Sequence, residues 1–518
     1  MKDKNVLRKE PDRLLIEVIG RYDWLFEKLV DYGEKYHGVS HFIIVSSDSL
    51  KQKYQALLKQ NDSIVTTVAE LELKLERLRL EENYDITSVA THYEKKYGYR
   101  YLRDVMQQDR GVWASKVPFA APTWSKIPDK DDAAVYDKIN RGFIVLEDIF
   151  EDFKPKMILV RPGWIISNVA ISIAEKNDLP CSMPRPARHG SFVTWTLGPY
   201  SHSAQLQQRF LELNNSEDKF PLIENVQAPE GSRQVFANFQ NAYKPKVLLR
   251  RFLVETYNYA HIFVKAASKG RFKDRPKFLV FLKRFLLEIE TIRYLRKRWL
   301  DEVSVIKGKK LLFLLPKEPE YTVQSLSRDF CNIHAMLAHL ATSLPVNTTL
   351  LIKEHSRVGY RKMDFYKELD RYHNVRFVNP FMPSDHFLPV CDAAATVAGT
   401  IAIECCALGK KCLTFSNKME YRFLPNVTHV HNLYNLPDIV DDVLTEPSVL
   451  ERDNYKKAAS KYYAILEETS FNAAGTKVFE GTNSVSDTAL ERAWELLCIN
   501  YKFQLNKWDK KFERSAKI

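Results

Sequence analysis

AAATVAGTIAIECCALGKKCLTFS, residues 393–416, is the stretch on which the fold turns. An apolar run ends at Gly399, an apolar helical run carrying Glu404 follows, and KCLTFS (411–416) is apolar again. Strand, helix and strand in that order make one unit of a parallel sheet, because parallel neighbours need a crossover between them. The same alternation extends upstream. KKLLFLLP (309–316), TLLIKEH (349–355) and NVRFVNP (374–380) read as further strands separated by helical pattern, such as the run with Phe330, Ile333, Met336, Leu337, Leu340 and Leu344. Residues 308–447 are therefore expected to form a doubly wound parallel sheet, whose ligands gather at the carboxyl ends of its strands.

Outward from there, residues 1–243 carry a second α/β pattern. In KMILVRPGWIISNVAISIAEKNDLP (156–180) a strand ends at Arg161, Pro162 and Gly163 turn the chain, and an apolar helix runs to about Lys176. HFIIVSS (41–47) reads as a buried strand followed by a helix that Asp48 can cap. The first 40 residues, with Leu14, Ile16, Ile19, Leu25, Leu29 and Tyr32 among charges, read as helix. Ile64, Val68, Leu71, Leu75 and Leu78 alternate spacings of four and three, which predicts a helix packed on its own domain. Arg161, Gly163, Arg185, Arg188 and His189 would line one rim, as an acceptor or phosphate side.

Between these regions, residues 244–300 hold 16 Lys or Arg against 4 Asp or Glu, in a chain whose net charge is +12. The segment is expected to be a basic helical insertion spanning 244–307, with Leu282, Phe285, Ile289, Ile292, Leu295 and Trp299 on an apolar stripe. Such a helix either turns its stripe to the core or lies on an anionic membrane surface. From residue 448 onward the pattern is helical, a closing segment expected to pack back across both halves.

The N-terminal MKDKNVLRKEPDRLL has no apolar core of the kind a secretory signal carries, and the seven cysteines lack paired spacing. Both point to a cytoplasmic chain, at most peripheral on the inner face of a membrane. A Walker loop is missing, and Gly399 stands alone instead of in GxGxxG, which speaks against a P-loop ATPase and against a dinucleotide oxidoreductase. Basic charge without a recognisable nucleic-acid module gives no nucleic-acid partner. Asp129-Lys130-Asp131 lies in a polar run and reads as a solvated loop, and Cys405 and Cys406 read as core, so no metal is expected.

The residues suited to chemistry converge on the C-terminal sheet. Lys353 and His355 stand at the end of one strand; Gly399 and Thr400 form the turn after another, with Glu404 one helical turn beyond Thr400. Glycine allows close backbone approach, free amides at a helix start hold anion oxygens, and a carboxylate one turn on can accept from sugar hydroxyls.

The run from about residue 312 to 444 resembles the capsule polysaccharide biosynthesis family of bacterial GT-B-like glycosyltransferases, which includes Kdo transferases. The resemblance rests on PKEPEYT (316–322), LLIKEHSRVGYRKMDFYKEL (350–369), NVRFVNPFMPS (374–384) and VAGTIAIECCALGKKCLTF (397–415), in matching order and spacing. In the N-terminal half it extends only to Tyr93-Glu94, the strand before Arg161 and PRPARH (184–189). It implies two Rossmann-like domains with parallel sheets. The implied nucleotide-sugar site comprises Lys353, His355, Gly399, Thr400, Glu404, Glu320 and Arg361. Ser356 replaces the proline that usually follows the family's Lys-Glu-His. The implied activity is metal-independent transfer of a sugar from a CMP- or UDP-linked donor to a glycan or glycolipid acceptor, with no cofactor. His189, Glu94 and Asp48 are the N-terminal candidates for the acid or base. A sugar-nucleotide epimerase and a non-catalytic glycan- or membrane-binding relative are the alternatives of the same plan.

Overall fold

A computed structural model describes residues 10–18, 22–78, 84–98, 102, 105–106, 108–109, 112, 118–119, 132–187, 189–198, 203–213, 241, 243–267, 276–318, 320–356, 358–416, 418–473 and 486–506. The chain forms two compact units, one of residues 1–109, 130–218 and 462–518, the other of residues 110–129 and 219–461.

The first unit is built on β1 (Arg13–Glu17), β2 (Ser40–Val45), β3 (Ile64–Thr67), β4 (Met157–Leu159) and β5 (Cys181–Ser182). They lie in the order β3-β2-β1-β4-β5, every pair parallel. This corrects the helical reading of the first 40 residues. Leu14, Leu15 and Ile16 are buried together on the central strand, and a strand covered on both faces shows no alternation to betray it. The helix of that region is Asp23–Tyr32. Ile64 likewise belongs to β3, and the helix Val68–Arg77 starts after it, at a capping box formed by Thr67 and Glu70. Leu71 and Leu75 of that helix are buried, as its spacing predicts. Ser47, not Asp48, caps the helix Asp48–Leu57, its hydroxyl accepting from the Leu50 amide. β6 (Pro184–Pro186) and β7 (Phe192–Trp195) form an antiparallel hairpin, which the short strand Phe471–Asn472 extends. The C-terminal helix Asp487–Leu505 closes this unit. Trp195 donates to the Ala493 carbonyl at 2.8 Å, and Asn500 donates to the Thr196 carbonyl at 2.8 Å.

In the second unit β8 (Lys309–Leu314), β9 (Thr348–Lys353), β10 (Val375–Val378), β11 (Ala393–Thr396), β12 (Cys412–Thr414) and β13 (Val427–His429) follow. Their order is β10-β9-β8-β11-β12-β13, all parallel. Counted from the first strand of the unit this is 3-2-1-4-5-6, the Rossmann order. The sequence pattern anticipated five of the six strands; β13, three half-buried residues at the edge, left no apolar run to read. Leu311, Leu312, Phe313, Leu350, Leu351 and Ile352 are fully buried, each such side chain worth roughly 1.5–3 kcal/mol.

The basic segment is a helical hairpin that falls within the second unit. Its helices Pro245–Ala267 and Pro276–Arg296 are joined by an Arg251–Glu288 ion pair of 2.7 Å. Phe285, Ile292 and Leu295 turn to the core, and Tyr294 and Arg298 both bond Asp370 beyond the sheet. Leu249, Leu253, Tyr257, Val264, Leu279 and Leu286 are each more than half exposed. The apolar content of the segment is thus divided between core and solvent.

Candidate functional site

Leu314, the last residue of β8, pairs with Lys353 on one side and with Thr396 on the other. The three strand ends therefore stand abreast. With neighbouring strands about 4.8 Å apart, the turns after β9 and β11 face each other across roughly 10 Å. The strand order reverses beside β8, so the crevice where this fold takes ligands opens here. The turn after β11 is shaped by Thr396, whose hydroxyl accepts from the Gly399 amide at 2.9 Å. A Cβ at 399 would stand 2.6 Å from that hydroxyl oxygen, so the turn requires glycine. Thr400 is the N-cap of the helix Ile401–Ala407, but its side chain caps nothing; its hydroxyl donates instead to Glu404 at 3.2 Å. The Ile403 and Glu404 amides both close on the Thr400 carbonyl, at 3.1 and 3.4 Å, and no side chain caps the amides of Ile401 and Ala402 before them. Ser384 donates to the other Glu404 oxygen at 2.9 Å. Burial raises the Glu404 carboxyl above the usual range, opposed by these two hydroxyls and by Lys353.

Lys353 is buried and donates to the Pro380 carbonyl at 3.2 Å. Burial lowers its ammonium to about 8, while Glu354 and Glu404 act in the opposite sense. Its charge reaches the crevice as a field, since the amine is turned toward the strand β10 side. His355 is half-buried, and burial pushes its imidazole down to about 4, with Lys353, Lys317 and Arg361 adding to the effect against Glu354. A ring neutral at physiological pH offers one N–H and one lone pair.

Arg361 requires a correction. The sequence places it among ligand-binding residues; the structure buries it at 1% exposure between Glu318 and Glu354. Its Nε donates to Glu318 at 2.7 Å, its Nη1 to Glu354 at 2.8 Å, and its Nη2 to the Pro316 carbonyl. Tyr366 completes the cluster by donating to Glu354. The guanidinium ties the turn after β8 to the turn after β9 and positions the rim without facing it. Glu318 and Glu354 carry this role unannounced: Lys-Glu-Pro-Glu and Lys-Glu-His drew attention to their neighbours. Glu320, half-buried, begins the helix Tyr321–Leu326 and makes no side-chain cap there. The loop holding Arg361 rests on the basic hairpin. Gly359 has φ of +95°, a Cβ there would meet the Glu288 Cβ at 2.9 Å, and Arg284 stacks over Tyr360 at 5.5 Å.

In the first unit the order reverses beside β1, and there the structure places a residue the sequence reading passed over. Glu17 ends β1, next to the turn after β4 that carries Arg161 and Gly163. Its Oε1 accepts from Ser167 at 2.9 Å; its Oε2 is inaccessible and has no hydrogen-bond partner among the described residues. Gly163, at φ 134°, donates to Asn168 at 3.1 Å and lets the turn close over the helix Ile165–Lys176.

The other N-terminal candidates lie elsewhere or are engaged. Glu94 sits on the helix Ile86–Tyr97 and takes the Leu102 amide, a structural cap. His189 belongs to the β6–β7 turn, where it pairs with Glu467 at 3.0 Å and packs on Phe192 and Tyr463. Arg185 is the middle residue of β6, in the antiparallel sheet and off the parallel one. Asp48 opens the helix after β2, at the same edge as Glu17. Arg188, and Asp129-Lys130-Asp131, lie outside the described residues.

The two units are thus Rossmann-like α/β domains, each with a polar constellation where its strand order reverses. No family profile matches the chain, and comparison with curated proteins gives no match. Among solved structures, the UDP-GlcNAc 2-epimerase of Methanocaldococcus jannaschii in complex with UDP-GlcNAc and UDP is similar at 12% identity and TM-score 0.27, over 88% of this chain and 99% of that one. The UDP-GlcNAc 2-epimerase of Neisseria meningitidis bound to UDP-GlcNAc aligns at 12% identity and TM-score 0.26, over 86% and 94%. The calicheamicin glycosyltransferase aligns at 9% identity and TM-score 0.26, over 88% and 95%. Superpositions this shallow leave fold and chemistry to rest on strand order and side-chain geometry.

Proposed function

We propose that the protein is a GT-B-like glycosyltransferase of surface polysaccharide synthesis, moving a sugar from a CMP- or UDP-linked donor to a glycan or glycolipid acceptor. The observation that carries this reading is the edge of the second sheet, where a neutral His355 and the uncapped turn at Gly399 and Thr400 flank the reversal of strand order. The amides of Ile401 and Ala402 and the His355 N–H take the phosphate oxygens, and Glu404 accepts from the ribose once Thr400 or Ser384 yields. As the anomeric C–O bond breaks, charge grows on the leaving phosphate, and donors fixed in place bind that charge better in the transition state than in the ground state. Lys353 supports them through its field, and Arg361 holds the two turns in register.

Thermal unfolding with CMP, UDP, GDP and their sugars tests the assignment. One nucleotide class should raise Tm, by about 2.7 kcal/mol of stabilisation at a hundredfold excess over Kd. His355→Ala and Thr400→Ala should lose turnover with Tm unchanged. Conversion of a sugar nucleotide without acceptor would reassign the protein as an epimerase, and no shift with any nucleotide would leave the non-catalytic reading.

The exposed apolar positions of the basic hairpin support a peripheral membrane site. Leu249, Leu253, Tyr257 and Val264 recur at helical spacing, beside a surplus of cations suited to anionic headgroups. No helix among the described residues is long and apolar enough to cross a membrane.

A further inference from the structure

We propose that the carboxyl edge of the first sheet is a carbohydrate subsite, on which the exposed indole of Trp164 stacks against a sugar ring. The inference rests on the glycosyltransferase reading and makes the acceptor a neutral glycan. Trp164 is 60% exposed, whereas Trp24, Trp195 and Trp494 are buried and Trp299 is half-buried. It stands at the N-cap of the helix Ile165–Lys176 and makes no side-chain cap there. Asp109 takes the Ile165 amide instead, at 2.7 Å. An indole that neither fills the core nor starts its helix has no structural work to do, and tryptophan is the side chain that most often anchors a ligand or partner from such a place.

Its surroundings in the first unit define the ligand. Trp164 follows the turn after β4, and Ser46, Asp48 and Ser49, all exposed, follow β2. Because β2 and β4 flank β1, the two turns stand roughly 10 Å apart on either side of the central strand, where the strand order reverses. An aromatic face with hydroxyls and a carboxylate opposite it suits a sugar. The ring C–H bonds, slightly positive, meet the negative π face, and Asp48 and the serines bond the hydroxyls. The backbone argues against a phosphate. In the second unit no side chain caps the amides of Ile401 and Ala402, whereas here Asn168 holds the Gly163 amide at 3.1 Å, Asp109 the Ile165 amide and Ser47 the Leu50 amide at 3.4 Å. The Arg161 guanidinium already acts on the Glu17 carboxyl between the two turns. An edge with its amides engaged and its cation matched favours a neutral, hydroxyl-rich ligand over a nucleotide.

The test titrates the full chain with oligomers of dextran, galactan and N-acetylglucosamine, and separately with uridine and cytidine, reading calorimetric heat and indole emission. Wild type should bind a neutral oligomer, and Trp164→Ala should weaken that binding by about tenfold or more with Tm unchanged, as loss of an aromatic anchor does. Trp164→Phe keeps a π face and should stay within about threefold of wild type. Asp48→Asn exchanges a charge-assisted bond for a neutral one and should weaken binding about fivefold. Failure of every oligomer to bind wild type, or equal binding by Trp164→Ala, overturns the proposal. Nucleosides that bind through Trp164 in place of sugars overturn it as well and make this edge a nucleobase site. The glycosyltransferase reading fails separately. Glycan binding that depends on Trp164, in a protein whose Tm no nucleotide raises, keeps the subsite and leaves a non-catalytic glycan-binding protein. A nucleotide-induced rise in Tm without glycan binding removes the subsite and spares that reading.

Discussion

A single oxygen atom keeps residue 399 a glycine: the Thr396 hydroxyl occupies the space a Cβ there would need. Gly399→Ala should therefore cost about 1–3 kcal/mol, the range of overpacking strain, and distort the turn that leads into the helix Ile401–Ala407. Adding Thr396→Ala removes the obstructing oxygen, so the double variant should recover Tm relative to Gly399→Ala. Equal Tm values for the single and double variants would show that the clash is not what fixes the residue. The residues of this turn were legible in the sequence because a glycine between an apolar strand and an apolar helix has few other meanings. Glu17 was not. It closes a three-residue apolar run, Leu14 to Ile16, too short to show a period, and the genuine helix just downstream lent the run its pattern. A strand read as helix hides whatever stands at its end.

The turns after β8 and β9 are joined by the buried cluster of Arg361, Glu318, Glu354 and Tyr366. Arg361→Leu leaves two buried carboxylates without their cation and should cost about 3–5 kcal/mol at pH 8. Burial already holds Glu318 above the usual carboxylate range, so it takes a proton first as pH falls. The loss in Tm should accordingly shrink toward pH 5; a pH-independent loss would mean that packing and not charge is what Arg361 supplies. At this level the sequence misjudged roles more than places. It located Arg361 at the rim but assigned it to the ligand, because a motif lists residues without showing which way they turn. The basic hairpin was also half legible: its charge and stripe were evident, whereas the division of apolar residues between core and solvent depends on packing. Vesicles of phosphatidylglycerol should bind the protein and release it between 0.05 and about 0.5 M salt, where screening becomes strong. Leu253→Glu with Tyr257→Glu should abolish that binding, and binding to neutral phosphatidylcholine of equal strength would rule out the electrostatic account.

For the molecule as a whole, the alternation of strand and helix predicted parallel sheets, and the second unit supplies them with the Rossmann order. The division of the chain was less legible. A boundary expected near residue 244 falls inside a unit that claims the hairpin, and the last residues return to the first unit, since contacts distant in sequence leave no local mark. Gly359 shows what that division demands. The backbone at Gly359 lies against Glu288 with no room for a methyl group, so the hairpin is a wall of the loop that carries Arg361. A fragment begun at residue 308 to isolate the six-stranded sheet would lose that wall together with Ile292 and Leu295, which cover its core. The smallest autonomous piece of this half must begin upstream of residue 245, and any chimera that grafts the sheet onto another scaffold has to bring the hairpin along.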